Sequence, residues 1–251
     1  MKIYVGGDSF AYGWPTSTID GNQDRSWPSQ LAKKLDVTVV NDARAGCSNY
    51  RIYRRLVSEI TSGDSDLVVM ALTHWFRAEI SVNDSKLKPG RIHQLLLGNY
   101  IKDRDEKRFY RNMFDPYLYY SNLLRMIISV QSLARTFDKT LIMVETFNNN
   151  FLCDKNIEWL TDNLDRFNFL DLYEDSRVGK KFQTICDLTD VIDMSTFMSM
   201  DSMQNLVSGV LEDTTIDYKN HPGPNQHEYF ATLMAEYITK NYLEKYNGQT
   251  I

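Results

Sequence analysis

Two short stretches at opposite ends of the chain carry side chains that could perform nucleophilic catalysis. Ser9 follows a β-prone run at 2–5 and the glycines at 6 and 7, which allow the sharp turn that presents a serine at the carboxyl edge of a sheet. Near the other end, Asp217 and His221 lie four residues apart. A serine hydroxyl is a weak nucleophile and needs a base within hydrogen-bond reach. These three residues have the composition of a nucleophile, its general base and the group that orients the base.

The choice of base falls among four histidines. His221 is preferred because a proline and a glycine follow it and fix a loop just before a long closing helix. His227, on the first turns of that helix, is expected to pack or cap and is the alternative base. Asp217 is the preferred orienting group for His221, and Asn220 or a backbone carbonyl is the alternative.

These residues need a scaffold, and the apolar pattern predicts one. Runs of apolar residues at helical spacing alternate with β-prone runs, and the middle strand runs are continuously apolar, which is typical of strands covered by helices on both faces. Alternating strands and helices predict a parallel sheet. The predicted fold is a three-layer, flavodoxin-like α/β domain with a central five-stranded parallel sheet. The strands are predicted at 2–5, 37–41, 66–72, 140–145 and 190–194, and the main helices at 27–35, 49–61, 119–136 and 225–246.

The order and placement of the motifs resemble those of the SGNH (GDSL-type) hydrolases. The first block of that family is matched by Gly7-Asp8-Ser9-Phe10, and the glycine loop after the second strand by residues 41–49, which include Gly46. The last block is matched by 217–222, with one extra residue between the acid and the histidine. The third block, a G-x-N-D sequence after the third strand, has no match, and Thr73 and His74 stand there instead.

The resemblance implies that the N–H groups of Ser9 and Gly46 form an oxyanion hole and that Ser9, His221 and Asp217 are catalytic. The family's asparagine, the third oxyanion donor, is absent. Asn49 and Thr73 are the candidate replacements, since an amide N–H₂ and a hydroxyl can both donate. His74 lies in the same neighbourhood. The alternative role for Asn49 is helix capping, which asparagine performs well.

Composition limits the class of protein to which the chain can belong. The chain has 251 residues, a net charge of −5 and 43% hydrophobic residues, which is typical of a globular domain and not of a nucleic-acid-binding protein. No apolar run approaches the roughly 18 residues of a membrane span, and no signal peptide precedes the first strand, so a cytoplasmic location is expected. The three cysteines have no metal or redox spacing. We expect one domain over 1–251, with an insertion at about 77–116, and neither a metal nor a cofactor.

Two segments depart from the regular alternation. Residues 77–111 hold nine Lys or Arg against five Asp or Glu, so this segment is either a solvated insertion or a cap that recruits an anionic substrate or partner. Methionines at 198, 200 and 203 follow the last predicted strand. They either fill the core or form a lid or an acyl-binding wall.

Together these features predict a serine hydrolase that cleaves a carboxylic ester with a small acyl group, such as acetyl, in a small-molecule or carbohydrate substrate. Two alternatives remain at this point. One is an acyltransferase that uses the same site, and the other is a catalytically inactive binding module with the SGNH fold.

Overall fold

The computed structural model describes residues 1–13, 25–75, 77–81, 92–95, 115–146, 184, 187–198, 203 and 221–243. Its centre is a parallel sheet of four strands, β1 (Lys2–Gly6), β2 (Thr38–Asn41), β3 (Leu67–Leu72) and β6 (Thr140–Glu145). They lie in the order β2-β1-β3-β6, which has the crossover typical of doubly wound folds. The register pairs Ile3 of β1 with Val39 on one side and with Leu67 on the other.

Helices cover both faces of this sheet, which confirms the predicted three-layer α/β architecture. One face packs against α3 (Asn49–Ser62) and α4 (Pro116–Thr136), and the other against α1 (Ser9–Tyr12), α2 (Trp27–Leu35) and α5 (Pro224–Ile238). All six residues of β3 are buried, because the strand is central and both of its faces are covered. The edge at which β1 and β3 end is therefore part of a well-packed sheet.

Helix boundaries follow local capping. The fourth helix begins three residues earlier than predicted because Asp115 accepts a hydrogen bond from the N–H of Leu118 at 3.2 Å and so caps the first turn. The closing helix α5 passes into a π-helical turn at Thr239–Leu243. The rest of the predicted span, to 246, lies outside the described residues.

The fifth predicted strand, at 190–194, is wrong. Residues 187–191 are helical, and a 3₁₀ turn follows at Met194–Thr196. The side-chain amide of Gln131 donates to the carbonyl of Asp193 at 2.8 Å and accepts from its N–H at 3.1 Å, so the backbone groups that a strand would use are already bonded. The chain meets the sheet only afterwards, in an isolated parallel bridge between Phe197 and Met143.

The predicted insertion begins with two short antiparallel strands, β4 (Ala78–Ser81) and β5 (Ile92–Leu95). Most of its basic residues lie outside the described residues, so its role stays a prediction. Met198 and Met203 are buried in the core on the α2 and α5 face, as core filling predicts, and Met200 is not described. Among the described helices, none is long and apolar enough to cross a membrane.

Candidate active site

Ser9 lies where β1 ends and α1 begins, at the carboxyl edge of the sheet. Gly7 makes this turn possible, since a Cβ there would lie 2.6 Å from the Cβ of Ala11 and 3.0 Å from that of Ala71. The turn can therefore pack directly on its own helix and on the neighbouring strand. Ser9 is only 4% exposed, so its hydroxyl is largely removed from bulk water.

His221 reaches the same point from the opposite end of the chain. Its Nε2 lies 3.1 Å from the Oγ of Ser9, which is hydrogen-bond distance. The segment is held because the N–H of Gly223 donates to the side-chain oxygen of Gln226 at 2.6 Å at the start of α5. The ring of Phe10 lies 5.2 Å from the His221 ring and limits its orientation. The serine and the histidine are thus placed for proton transfer.

His227, the alternative base, has a different environment. It is fully buried, and its Nδ1 accepts a hydrogen bond from the N–H of Trp27 at 3.2 Å. Burial, together with the neighbouring His221, lowers the pKa of His227 to about 3. Since Nδ1 is an acceptor, the neutral ring carries its proton on Nε2, which has no hydrogen-bond partner among the described residues. His227 joins α5 to α2.

The loop after β2 brings Gly46 to this edge. Gly46 has a φ of +74°, a conformation that glycine adopts without strain. The loop is tied to the β1 turn because the N–H of Arg44 and the thiol of Cys47 each lie 3.0 Å from the carbonyl oxygen of Gly7 and donate to it. Burial, with the charge of Asp8, raises the pKa of the Cys47 thiol to about 12, so the thiol keeps the proton that it donates.

Neither the backbone N–H of Ser9 nor that of Gly46 has a hydrogen-bond partner among the residues that the structure describes. Most N–H groups inside proteins are bonded, so N–H groups without a partner are suited to donate to a ligand oxygen.

At the end of β3, by contrast, the side-chain donors already have hydrogen-bond partners. The side-chain amide of Asn49 donates to the carbonyl of Thr73 at 2.9 Å and to that of His74 at 3.3 Å, and its oxygen accepts from the Thr73 N–H at 2.9 Å. The hydroxyl of Thr73 donates to Asp8 at 2.7 Å. The assignment of Asn49 or Thr73 as third oxyanion donor stays a prediction, and either side chain would have to release a bond to fulfil it.

Asp8, the acidic residue of the first block, is a buried charged centre next to Ser9. Its carboxylate is fully buried and accepts from the N–H of Phe10 at 3.1 Å, from the Thr73 hydroxyl and from Arg77 Nη1 at 2.7 Å. Burial, with the positive charge of Arg77, lowers the pKa of His74 to about 3, so His74 is neutral at physiological pH. The contact between Arg77 and Asp8 cannot be recognised from a local sequence pattern, because the two residues are 69 positions apart.

The third member of the predicted triad, Asp217, lies outside the described residues, as does Asn220. Within the described part of the chain, no group of three or more His, Cys, Asp or Glu side chains could hold a metal ion. What the described residues provide is a buried serine next to an imidazole nitrogen, with two unbonded N–H groups in the adjoining loops. This set is suited to acyl transfer through a serine ester.

No family model matches the sequence, and no curated protein matches it either. The fold is similar to that of solved esterases. One is the psychrotrophic esterase EstA from Pseudoalteromonas sp., at 11% identity and a TM-score of 0.49, with 95% of this chain and 97% of that chain covered. Another is the acetylxylan esterase Axe2 from Geobacillus stearothermophilus, at 14% identity and a TM-score of 0.49, with 94% and 93% covered.

A lipolytic protein of the G-D-S-L family from Desulfitobacterium hafniense is also similar, at 11% identity and a TM-score of 0.48 over 94% of this chain and 98% of that chain. With TM-scores below 0.5, these likenesses assign no activity to this chain.

Proposed function

We propose that this chain is a serine hydrolase that cleaves a carboxylic ester with a small acyl group. The observation that carries the proposal is the 3.1 Å contact between Ser9 Oγ and His221 Nε2 at the carboxyl edge of the sheet. A serine hydroxyl that is buried next to an imidazole can be deprotonated as it attacks, which an exposed turn serine cannot.

The reaction has two steps. Ser9 Oγ attacks the ester carbonyl carbon while His221 Nε2 takes the hydroxyl proton, and the carbonyl oxygen becomes an oxyanion. When the C–O bond to the alcohol breaks, His221 returns the proton to the leaving alcohol and an acyl-serine remains. Water then attacks the acyl-serine with His221 as base, which releases the carboxylic acid and restores Ser9.

The N–H groups of Ser9 and Gly46 are the oxyanion donors in this proposal. Each donor of this kind contributes roughly 10²–10³ in rate. Asp217 is proposed to accept the other imidazole N–H and to keep the proton off Nε2. Asn49 and Thr73 remain candidates for a third donor, under the condition that substrate displaces one of their present bonds.

One observation favours a second candidate function, a binding module that has lost catalysis. The side-chain donors of Asn49 and Thr73 are bonded to the backbone and to Asp8, so the described residues provide two donors for the hole unless these bonds rearrange. A two-donor hole would bind a carbonyl or carboxylate oxygen and would accelerate its reaction less.

The two candidates are separated by reaction with a fluorophosphonate, which phosphonylates only an activated serine. We expect the full-length protein to be labelled stoichiometrically and to hydrolyse 4-nitrophenyl acetate faster than longer acyl esters. Ser9→Ala should lose both reactions with an unchanged circular dichroism spectrum. Ser62→Ala, which alters an exposed serine at the end of α3, is the matched control and should keep both.

An unlabelled wild type that nevertheless binds carboxylates would favour the binding module. Undiminished labelling of Ser9→Ala would exclude Ser9 as the nucleophile. Transfer of the acetyl group to an added alcohol or sugar in preference to water would identify the enzyme as an acyltransferase.

A further inference from the structure

The contact between Arg77 and Asp8 links two of the loops that form the site. Arg77 Nη1 donates to Asp8 Oδ2 at 2.7 Å, and the two side chains are 10% and 0% exposed. Either charge alone would be costly to bury, so each side chain stabilises the other through its opposite charge and through the hydrogen bond. Asp8 is in turn bonded to the N–H of Phe10, so the ion pair acts on the turn that carries Ser9.

The same nitrogen of Arg77 also reaches the loop after β2. Nη1 lies 3.5 Å from the carbonyl oxygen of Cys47, at the limit of a hydrogen bond. Cys47 follows Gly46, and Asp8 precedes Ser9. One guanidinium therefore contacts a neighbour of each of the two residues, Ser9 and Gly46, whose N–H groups have no partner among the described residues.

We propose that Arg77 is a positioning residue for ester hydrolysis, which through Asp8 and the Cys47 carbonyl holds the N–H groups of Ser9 and Gly46 around one oxyanion. The inference rests on the proposed function. Two donors stabilise an oxyanion only when both lie about 2.7–3.1 Å from the same oxygen. Misplacement of such groups by about 1 Å can cost on the order of 10²-fold in rate.

The geometry favours a positional role over a direct electrostatic one. The carboxylate of Asp8 balances the charge of Arg77 at 2.7 Å, so the pair adds little net field at the carbonyl. A guanidinium is planar and has several donors in fixed directions, which lets it contact a carboxylate and a carbonyl at once. A lysine would keep the charge without this geometry.

The test compares Arg77→Met, Arg77→Lys and the double variant Asp8→Asn/Arg77→Met, which leaves no buried unpaired charge. Arg55→Met is the matched control, because Arg55 also donates to a carboxylate at 2.7 Å, that of Asp42, but with a side chain that is 56% exposed. The measurements are kcat and KM for 4-nitrophenyl acetate and the thermal midpoint. A further measurement is the ratio of kcat/KM for an oxygen ester to that for its thionoester, which falls when an oxyanion hole is disturbed.

We expect Arg77→Met and the double variant to lose about 10²-fold in kcat, with KM changed less than about threefold and the oxygen-to-thiono ratio lowered. Arg77→Lys should recover only part of kcat, and Arg55→Met should equal the wild type. A merely structural role would lower the thermal midpoint and leave the ratio unchanged.

Folded Arg77 variants with wild-type kcat and ratio would overturn the positioning role alone. A raised KM with unchanged kcat would overturn it too, because Arg77 would then bind substrate directly. If Arg77→Met does not fold, the double variant and Arg77→Lys decide by the same two measurements. A wild type that is neither labelled by a fluorophosphonate nor active on esters overturns the proposed function itself, and the positioning role with it.

Discussion

The turn after β1 and the end of β3 lie next to each other at one edge of the sheet, but they differ in whether their hydrogen-bond donors already have partners. At the β1 turn, the N–H of Ser9 has no partner among the described residues, and the hydroxyl of Ser9 faces His221. At the end of β3, the amide of Asn49 and the hydroxyl of Thr73 are bonded to backbone and to Asp8. A donor without a partner is available to a ligand, whereas a bonded donor supports structure.

The bonded donors at the end of β3 connect this segment to its neighbours. Asn49 joins α3 to the end of β3, and Asp8 joins the β1 turn to the same segment through Thr73 and Arg77. The end of β3 therefore supports the β1 turn. We expect substitutions in the two regions to affect different quantities, which the following predictions test.

The largest expected effect belongs to the reactive region. His221→Ala should lower the turnover of 4-nitrophenyl acetate by roughly 10⁴-fold or more, because the members of a catalytic unit fail together. His227→Asn, which keeps an acceptor for the Trp27 N–H, should change turnover by less than about threefold. Steady-state kinetics on both variants checks this. The reverse pattern would identify His227 as the base.

A substitution in the supporting region should act on stability. Asn49→Ala removes three hydrogen bonds, two of them to the backbone N–H and C=O of Thr73, so the free energy of unfolding should fall by roughly 3 kcal/mol. Urea denaturation measures it, with the exposed Asn122→Ala as control. A loss of about 10²-fold in kcat at unchanged stability would instead make Asn49 the third oxyanion donor and remove the contrast between the regions.

The hydroxyl of Thr73 offers a smaller and cleaner test. Thr73→Val removes one of the donors to the buried Asp8 carboxylate and should cost roughly 2 kcal/mol of unfolding free energy, since hydrogen bonds to charged groups are strong. Thr73→Ser keeps the hydroxyl and should recover most of this loss. If Thr73→Val lowers kcat by about 10²-fold and leaves stability unchanged, the hydroxyl acts on the substrate.

The pH dependence of stability should give the smallest effect when it is expressed per pH unit. The pKa of His227 is about 3 in the folded protein, whereas its ordinary value is 6.5, so below pH 6.5 the unfolded chain binds a proton that the folded chain does not. Its contribution to stability is therefore complete above pH 6.5 and is lost as the pH falls toward 3. His227→Asn should reduce the slope of unfolding free energy between pH 4 and 6 by about 1.4 kcal/mol per pH unit. An unchanged slope in urea denaturation would mean that His227 is not a buried neutral group.

The incorrect strand at 190–194 shows where reasoning from local pattern fails. A short β-prone run was expected to pair with the sheet. Gln131, on a different helix, bonds both backbone groups of Asp193, and Val191 is 63% exposed. A partner 62 positions away in sequence cannot be recognised from the run itself.

The amino-acid sequence by itself determined the four strands of the described sheet, four of the helices that cover it and the position of Ser9 at a strand end, because periodicity and glycine turns are local properties. Only the tertiary structure decided which histidine faces Ser9 and which N–H donors have no partner among the described residues. The Ser9–His221 contact spans 212 positions and the Asp8–Arg77 pair 69. Such contacts depend on strand order and register, which bring distant loops to one edge.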